Sequence, residues 1–269
     1  MSLVLKTKEY FKEGKMPLRK RGQNFLINKK AIEKIIKEAN LKLDDQIVEI
    51  GAGTGNLTNL LAKENKVVAI EIDDYLVNIL EKRFKNNSNV IIKDEDIRDF
   101  RLTNLGLNKY KVISNIPFNI TGLLIKNILT EKNKPELIIL VLQKQVGERI
   151  VATPPNMSLL SVSVKFFGKP EIVGKISKNS FWPRPKVDSV ILKIKPKNKY
   201  LVSETNFFKI VKAGFTHPRK YLLNNLFLNG IIKKDKAKQI LKKNNLNLRI
   251  RAEELKVKDW VDLTRSIFK

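Results

Sequence analysis

Three groups of residues have the types and spacing to do chemistry. The first is Glu49-Ile50-Gly51-Ala52-Gly53-Thr54-Gly55, which closes the apolar run 46–50 and precedes a helical stretch. Glycines there let the chain turn tightly and let the backbone approach a ligand closely. Glu71 ends the next apolar run, 66–72, twenty residues after Gly51. A carboxylate at that place can accept both hydroxyls of a ribose. A dinucleotide turn has the form G-x-G-x-x-G, but position 56 is Asn. The form found, G-x-G-x-G with Glu49 ahead of it, suits S-adenosyl-L-methionine. That molecule has no pyrophosphate and needs no helix N-terminus aimed at phosphates. Taken alone, the motif also admits a nucleotide or a structural glycine turn.

The second group is Asp96, after the third apolar run, 89–96. Its position suits acceptance from the amino group of a cofactor adenine. With Asp94, Glu95 and Asp99 beside it, it reads equally as one loop carboxylate of several. The third is Asn115-Ile116-Pro117-Phe118, after the fourth run, 110–115. An exocyclic amine on a base is a poor nucleophile, because its lone pair is delocalised into the ring. Two acceptors on its N–H groups favour a pyramidal nitrogen with that pair free. The Asn115 side-chain oxygen and the backbone carbonyl beside Pro117 can be those acceptors. Pro117 fixes its own φ and biases the residue before it towards extended geometry. Phe118 offers a flat face for stacking, worth ~1–3 kcal/mol. By itself N-I-P-F is a strand-end loop. Following a glycine-rich cofactor turn, it points to transfer onto the amino group of a base.

These groups need elements to hold them. Residues 28–40 space Ile32, Ile35, Ile36 and Ala39 on one helical face, with Asn28 as a cap. Beyond them short apolar runs alternate with helical patterns: strands at 46–50, 66–72, 89–96, 110–115, 136–143 and 189–194, and helices at 56–64, 74–86, 121–130 and 143–152. Such alternation predicts a mainly parallel sheet with helices on both faces, its ligands at the carboxyl ends of the strands. After Pro196 the pattern turns helical and dense in Lys. The expected organisation is a basic N-terminal segment (1–21), an α/β domain (22–196) and a small basic helical domain (197–269). The N-terminal segment is expected either to contact nucleic acid or to be a mobile, solvated tail.

Composition narrows the chemistry. With no cysteine, disulfides, thiolate zinc sites and thiol catalysis are excluded. The single histidine, His217, argues against a His-based metal site or a Ser-His-Asp triad, and no metal is expected. No stretch is long and apolar enough to span a bilayer. The first residues lack the apolar run of a signal peptide, which predicts a cytoplasmic protein without a membrane partner. Lys and Arg number 53 against 27 acids, a net charge of +26. Compositional drift mostly exchanges Arg for Lys and leaves charge unchanged. A polyanionic partner, nucleic acid before an anionic membrane surface, explains the excess better. Residues 195–269 hold 19 basic and 6 acidic side chains, half of that net charge.

Longer runs carry a resemblance. Gly22-Gln23-Asn24-Phe25-Leu26, Glu49–Gly55, Asn115–Phe118, Leu142-Gln143-Lys144 with Glu148-Arg149, and Phe181-Trp182-Pro183-Arg184-Pro185-Lys186-Val187-Asp188-Ser189 resemble the motifs of the ribosomal RNA adenine dimethyltransferases of the KsgA and Erm type. The likeness covers nearly the full chain. Arg219-Lys220 with Asn224-Asn225-Leu226 is similar to the KsgA branch rather than to Erm enzymes. The departures are Phe118 for a usual Tyr, Gln145 for Glu, and Met157-Ser158-Leu159 for Y-G-R.

The resemblance implies a Rossmann-like class I methyltransferase domain with a small C-terminal α-helical domain. It implies N6,N6-dimethylation of adenines, two adjacent ones in a 3′-terminal hairpin loop, of small-subunit ribosomal RNA in a 30S-type precursor particle. The enzyme is expected to act as a monomer. By position, Asn24 and Leu26 would close over the cofactor, and Gly51, Gly53, Glu71, Asp96 and Asn115 would bind it. Asn115, Ile116, Pro117 and Phe118 would form the catalytic loop, and Phe181 would pack the other face of the flipped adenine. The competing readings are an Erm-type large-subunit enzyme, a DNA adenine methyltransferase (whose usual D-P-P-Y or N-P-P-Y is absent), and a ribosome-assembly factor with dispensable catalysis.

Overall fold

The computed structural model describes residues 2–11, 16–18, 22–116, 121–197 and 200–268. The chain forms two compact units: Met1–Gly147 with Pro170–Pro196, and Glu148–Lys169 with Lys197–Lys269. Residues 148–169 thus cluster with the C-terminal stretch, not with the α/β part that encloses them in sequence.

In the first unit the strands are β1 (Phe25–Leu26), β2 (Gln46–Ile50), β3 (Lys66–Glu71), β4 (Val90–Asp94), β5 (Lys111–Asn115), β6 (Leu137–Gln143), β7 (Gly168–Ile176), β8 (Phe181–Trp182) and β9 (Ser189–Pro196). Seven of them make one sheet in the order β4-β3-β2-β5-β6-β9-β7. The pairs β2–β3, β3–β4, β2–β5 and β5–β6 are parallel, and β9 runs antiparallel to β6. The apolar runs become strands because the sheet is covered: Ile47, Val48, Val112, Ile113 and the run Ile138–Leu142 are essentially inaccessible.

The strand order reverses at β2. Its ladder with β5 consists of Ile47↔Lys111 and Val48↔Val112 only. The ladder thus stops short of the carboxyl ends of the two strands, where a switch point places its crevice. The Ser114 hydroxyl still donates to the Ile50 carbonyl across the gap.

The helices of this unit begin with α1 (Leu3–Glu9), α2 (Lys29–Ala39), α3 (Thr58–Leu61), α4 (Asp74–Phe84) and α5 (Thr121–Thr130). The Asn28 side chain accepts from the Ala31 N–H at 3.1 Å, as its position predicted. Asp73 caps α4 by accepting from the Tyr75 N–H at 3.1 Å. Leu76, Ile79, Leu80 and Phe84 of α4 are buried. Part of the N-terminal segment is not a free tail: Leu3–Glu9 is helical, and Thr7 within it is fully buried. The reason is a polar anchor, the Asn56 amide donating to Thr7 Oγ1 at 2.9 Å. The two-residue strands β1 and β8 pair antiparallel, Phe25 with Trp182 and Leu26 with Phe181.

The second unit carries α7 (Leu159–Phe167), α8 (Glu204–Gly214), α9 (Leu222–Leu228), α10 (Lys234–Lys243) and α11 (Val257–Ile267), numbered after α6 (Lys144–Val151). Rings form its core, with Phe166 stacked on Phe207 at 4.0 Å and Phe215 stacked on Trp260 at 5.8 Å. Gly214 permits the close approach of α11, since a Cβ there would lie 2.4 Å from the Trp260 ring. Met157-Ser158-Leu159 starts α7, where Ser158 and Ser161 form a reciprocal cap.

Candidate active site

The glycine turn lies at the carboxyl end of β2. Gly51, Gly53 and Gly55 all have positive φ, at 70°, 60° and 76°, a region that side chains other than glycine's rarely tolerate. Two of them also have no room for a side chain. A Cβ on Gly53 would lie 2.9 Å from Phe25, and one on Gly55 2.7 Å from Phe84. The turn therefore needs glycine for its path and for its neighbours.

Glu71, at the end of β3, reaches back to this turn. Its Oε2 accepts from the Gly53 N–H at 2.8 Å, and its Oε1 accepts from the N–H groups of Ile72 at 3.0 Å and Asp73 at 3.1 Å. Burial raises its pKa, and these three N–H groups oppose the rise. Glu49, at the end of β2, is 2% exposed. Its Oε2 accepts from the Thr58 hydroxyl at 2.6 Å. Burial, with the nearby Glu71 charge adding, pushes its pKa up to about 8.

Asn115, at the end of β5, faces the same space. Its Nδ2 donates to the backbone carbonyl of Asn24 at 3.0 Å. Its Oδ1 is buried and has no hydrogen-bond partner among the described residues. One cavity is lined by Asn24, Leu26, Glu49, Gly51, Gly53, Glu71, Asn115 and Ile116. The fold thus gathers at one place most of the residues singled out in sequence.

Two of them stand apart from the cavity lining. The Asp96 carboxylate is taken by Arg98, whose Nε lies 3.0 Å and 2.8 Å from its two oxygens. That guanidinium holds the carboxyl below its usual pKa. Phe181 is 2% exposed and packs with Leu26 in the main core. Pro117 and Phe118 lie outside the described residues.

Several residues of the site have contacts that the sequence motifs did not assign to them. Thr54 lines the cavity with a buried hydroxyl that has no partner among the described residues. Asn56 donates to Thr7 Oγ1 and to the Leu26 carbonyl at 3.0 Å, and accepts from Arg83 at 3.2 Å. The residue that excluded a dinucleotide turn is therefore the clasp between that turn, α1 and β1. Gln23 donates to Asp73 at 2.9 Å, a contact only the fold reveals.

In the second unit the exposed run Thr216–Tyr221 includes Arg219 and Lys220. Asn225 brackets it from within, its amide donating to the carbonyls of Gly214 at 2.6 Å and His217 at 3.0 Å. Among the described residues, no helix is long and apolar enough to cross a membrane.

The family described as ribosomal RNA adenine dimethylase matches residues 18–268. A ribosomal RNA small subunit methyltransferase A of Dehalococcoides mccartyi is 36% identical over 269 residues, covering 97% of this chain and 92% of its own. A protein of the same name from Fusobacterium nucleatum is 37% identical over 254 residues, covering 92% and 96%. Among solved structures, a dimethyladenosine transferase from Plasmodium falciparum superposes with a TM-score of 0.76 at 27% identity, over 88% of this chain and 94% of that one. The 23S rRNA methyltransferase ErmE shares the fold, with a TM-score of 0.72 at 22% identity, over 91% and 100%. With a family match that spans almost the whole sequence, the chain belongs to the ribosomal RNA adenine dimethylase family.

Proposed function

We propose that this protein transfers methyl groups from S-adenosyl-L-methionine to N6 of adenines in small-subunit ribosomal RNA, twice on each base. One observation carries the reading. Asn115 sits in the cavity beside the glycine turn with its amide nitrogen already engaged and its buried oxygen free of partners among the described residues. A buried acceptor without a donor is costly, and a base amine is the donor it lacks.

The cavity fits the proposed cofactor. It offers tight glycine backbone, the Glu71 carboxylate and a second unpartnered polar atom, Thr54 Oγ1. When bound, S-adenosyl-L-methionine supplies an electrophilic methyl group. Gly51 and Gly53 would admit its methionine part, Glu71 would accept from its ribose hydroxyls, and Asn24 and Leu26 would cover it. The assignments of Asp96 to the adenine of the cofactor and of Phe181 to the target base rest on family resemblance alone.

For the transfer, Asn115 Oδ1 accepts from one N–H of the target amine and the Ile116 carbonyl from the other. The pair would hold the nitrogen lone pair out of the ring, free to form the N–C bond as the S–CH3 bond breaks and the sulfonium leaves as a neutral thioether. Catalysis then comes from positioning and from these two acceptors. The proton leaves to water after transfer. The target base leaves its stack to reach Asn115, at a cost of a few kcal/mol that is smaller in a hairpin loop than in a duplex. The basic second unit holds the surrounding RNA through its phosphates. The substrate is a 30S-type precursor particle, two adjacent adenines of a 3′-terminal hairpin loop are the target, and the enzyme acts as a monomer in the cytoplasm.

The test is labelled methyl transfer to unmethylated small-subunit particles, with the product bases identified. Dimethyladenosine in small-subunit RNA is the expected product. Transfer only to large-subunit RNA, or none at all, overturns the proposal.

A further inference from the structure

The Asn115 side chain has two orientations related by a half-turn of its amide. Only one offers oxygen to a base amine; the other offers an N–H that repels it. The two have nearly the same shape, and a neighbour of fixed hydrogen-bond character decides between them. That neighbour is the backbone carbonyl of Asn24, 3.0 Å from Asn115 Nδ2. A carbonyl accepts only, so the nitrogen must face it and the oxygen must face away.

The stretch that carries this carbonyl is clamped from several sides. Gln23 donates to Asp73 at 2.9 Å, and the Asn24 side chain donates to the Gly22 carbonyl at 3.0 Å. The Leu26 carbonyl accepts from Asn56 at 3.0 Å, and the Ile27 N–H donates to the Ser180 carbonyl at 2.8 Å. β1 is further pinned by its pairing with β8.

We infer that the Asn24 backbone carbonyl is a positioning group for methyl transfer, fixing the Asn115 amide so that its oxygen meets the target amine. The N-terminal strand is then part of the catalytic apparatus and not only a cover for the cofactor. This rests on the proposed role of Asn115 as the acceptor.

Asn115→Asp separates the two ideas. If acceptance towards the base were all that mattered, a carboxylate would serve at least as well as an amide. If the carbonyl of Asn24 sets the orientation, the ionised carboxylate of the variant faces that carbonyl with no proton to donate. The protonated carboxyl restores the arrangement, its O–H donating to Asn24 and its C=O accepting from the base. Turnover of Asn115→Asp, at saturating cofactor and RNA, is expected to be about 100-fold below wild type near pH 8 and to recover at least about tenfold towards pH 5. Glu49, Glu71 and Asp73, the other acids about the cavity, are common to both proteins, and the wild-type profile corrects for them. Cofactor affinity, read by calorimetry, verifies that the variant site is folded. Wild-type turnover by the variant near pH 8, or a low rate flat with pH in a variant that binds cofactor, overturns the inference. Absence of methyl transfer by the wild-type protein instead overturns the proposed function itself.

Discussion

Glu71 and Gly53 are joined across the mouth of the sheet, the carboxylate accepting the glycine N–H at 2.8 Å. The bond ties the end of the second parallel strand to the turn after the first. Glu71→Ala removes it together with the proposed ribose acceptor. Cofactor affinity is expected to fall about 10- to 100-fold, the range for lost hydrogen bonds to a charged group. Isothermal titration with S-adenosyl-L-methionine measures it, and affinity within threefold of wild type contradicts the assignment.

Asn115→Ala is expected to show the opposite pattern. Turnover falls by about 10²–10³-fold, the scale for loss of one transition-state acceptor or donor. Cofactor affinity stays within about threefold, because the proposed partner of Oδ1 is the base. Single-turnover methyl transfer and cofactor titration on the same preparation separate the two effects.

Glu49 predicts a pH dependence of stability. Its folded-state pKa of about 8 lies above the ordinary value of 4.5. The folded state therefore holds a proton that the unfolded state has released between those values. By linkage, the contribution is fully present below about pH 4.5, declines as pH rises, and is lost above about pH 8. Glu49→Gln mimics the protonated form and still accepts from Thr58. Urea denaturation at a series of pH values should show a smaller decline in the variant over this window, and an unchanged decline rules Glu49 out as its source.

Gly55→Ala tests the packing behind the turn. The added methyl meets Phe84 at 2.7 Å and Leu80 at 2.9 Å, at a φ of 76°. The combined overpacking and backbone strain should destabilise the protein by about 2–4 kcal/mol. Denaturant midpoints give the value. A neutral substitution would mean that α4 yields more readily than a packed core does.

Arg219 and Lys220 test the proposed RNA role of the second unit. Replacing both with Ala should weaken RNA affinity and lower the salt dependence of binding by about two counter-ions. Turnover at saturating RNA should hold. Asn225→Ala acts through the loop instead, and freeing the carbonyls of Gly214 and His217 should destabilise the unit by about 1–3 kcal/mol. Thermal melts distinguish the two variants.

The sheet was legible where apolar runs were uninterrupted. Gln46–Ile50 and Thr121–Thr130 form where expected, and the other runs differ at their ends only. β7 was not legible, because Pro170, Glu171 and Lys175 break its run of apolar residues and its place at the sheet edge leaves much of it half-exposed. Leu159–Phe167 carries the β-branched alternation of a strand, yet its Ser158 cap and buried aromatic end make it a helix. The two-residue strands β1 and β8 are too short to show a period. Within the candidate site, residue types and spacing singled out Gly51, Gly53, Glu71 and Asn115, which line one cavity, since turns and strand ends are local. What sequence could not supply was pairing at a distance: Asn56 with Thr7, Gln23 with Asp73, Asn24 with Asn115, each joining segments far apart in the chain.

The pairing of Phe25 and Leu26 with Trp182 and Phe181 also sets an order of assembly on the ribosome that makes the protein. β2 to β6 can meet as they emerge, since each strand from β3 to β6 pairs with one already made. β1 has to wait until most of the chain has been translated, because its strand partner is among the last pieces of the first unit to appear. Until then the stretch with Asn24 and Leu26 has only its side-chain contacts with Asp73, Asn56 and Asn115 to hold it, without its strand partner. A nascent chain halted before Phe181 would therefore carry the glycine turn and Asn115 without a finished pocket, and the capacity to bind cofactor would arrive late, close to release.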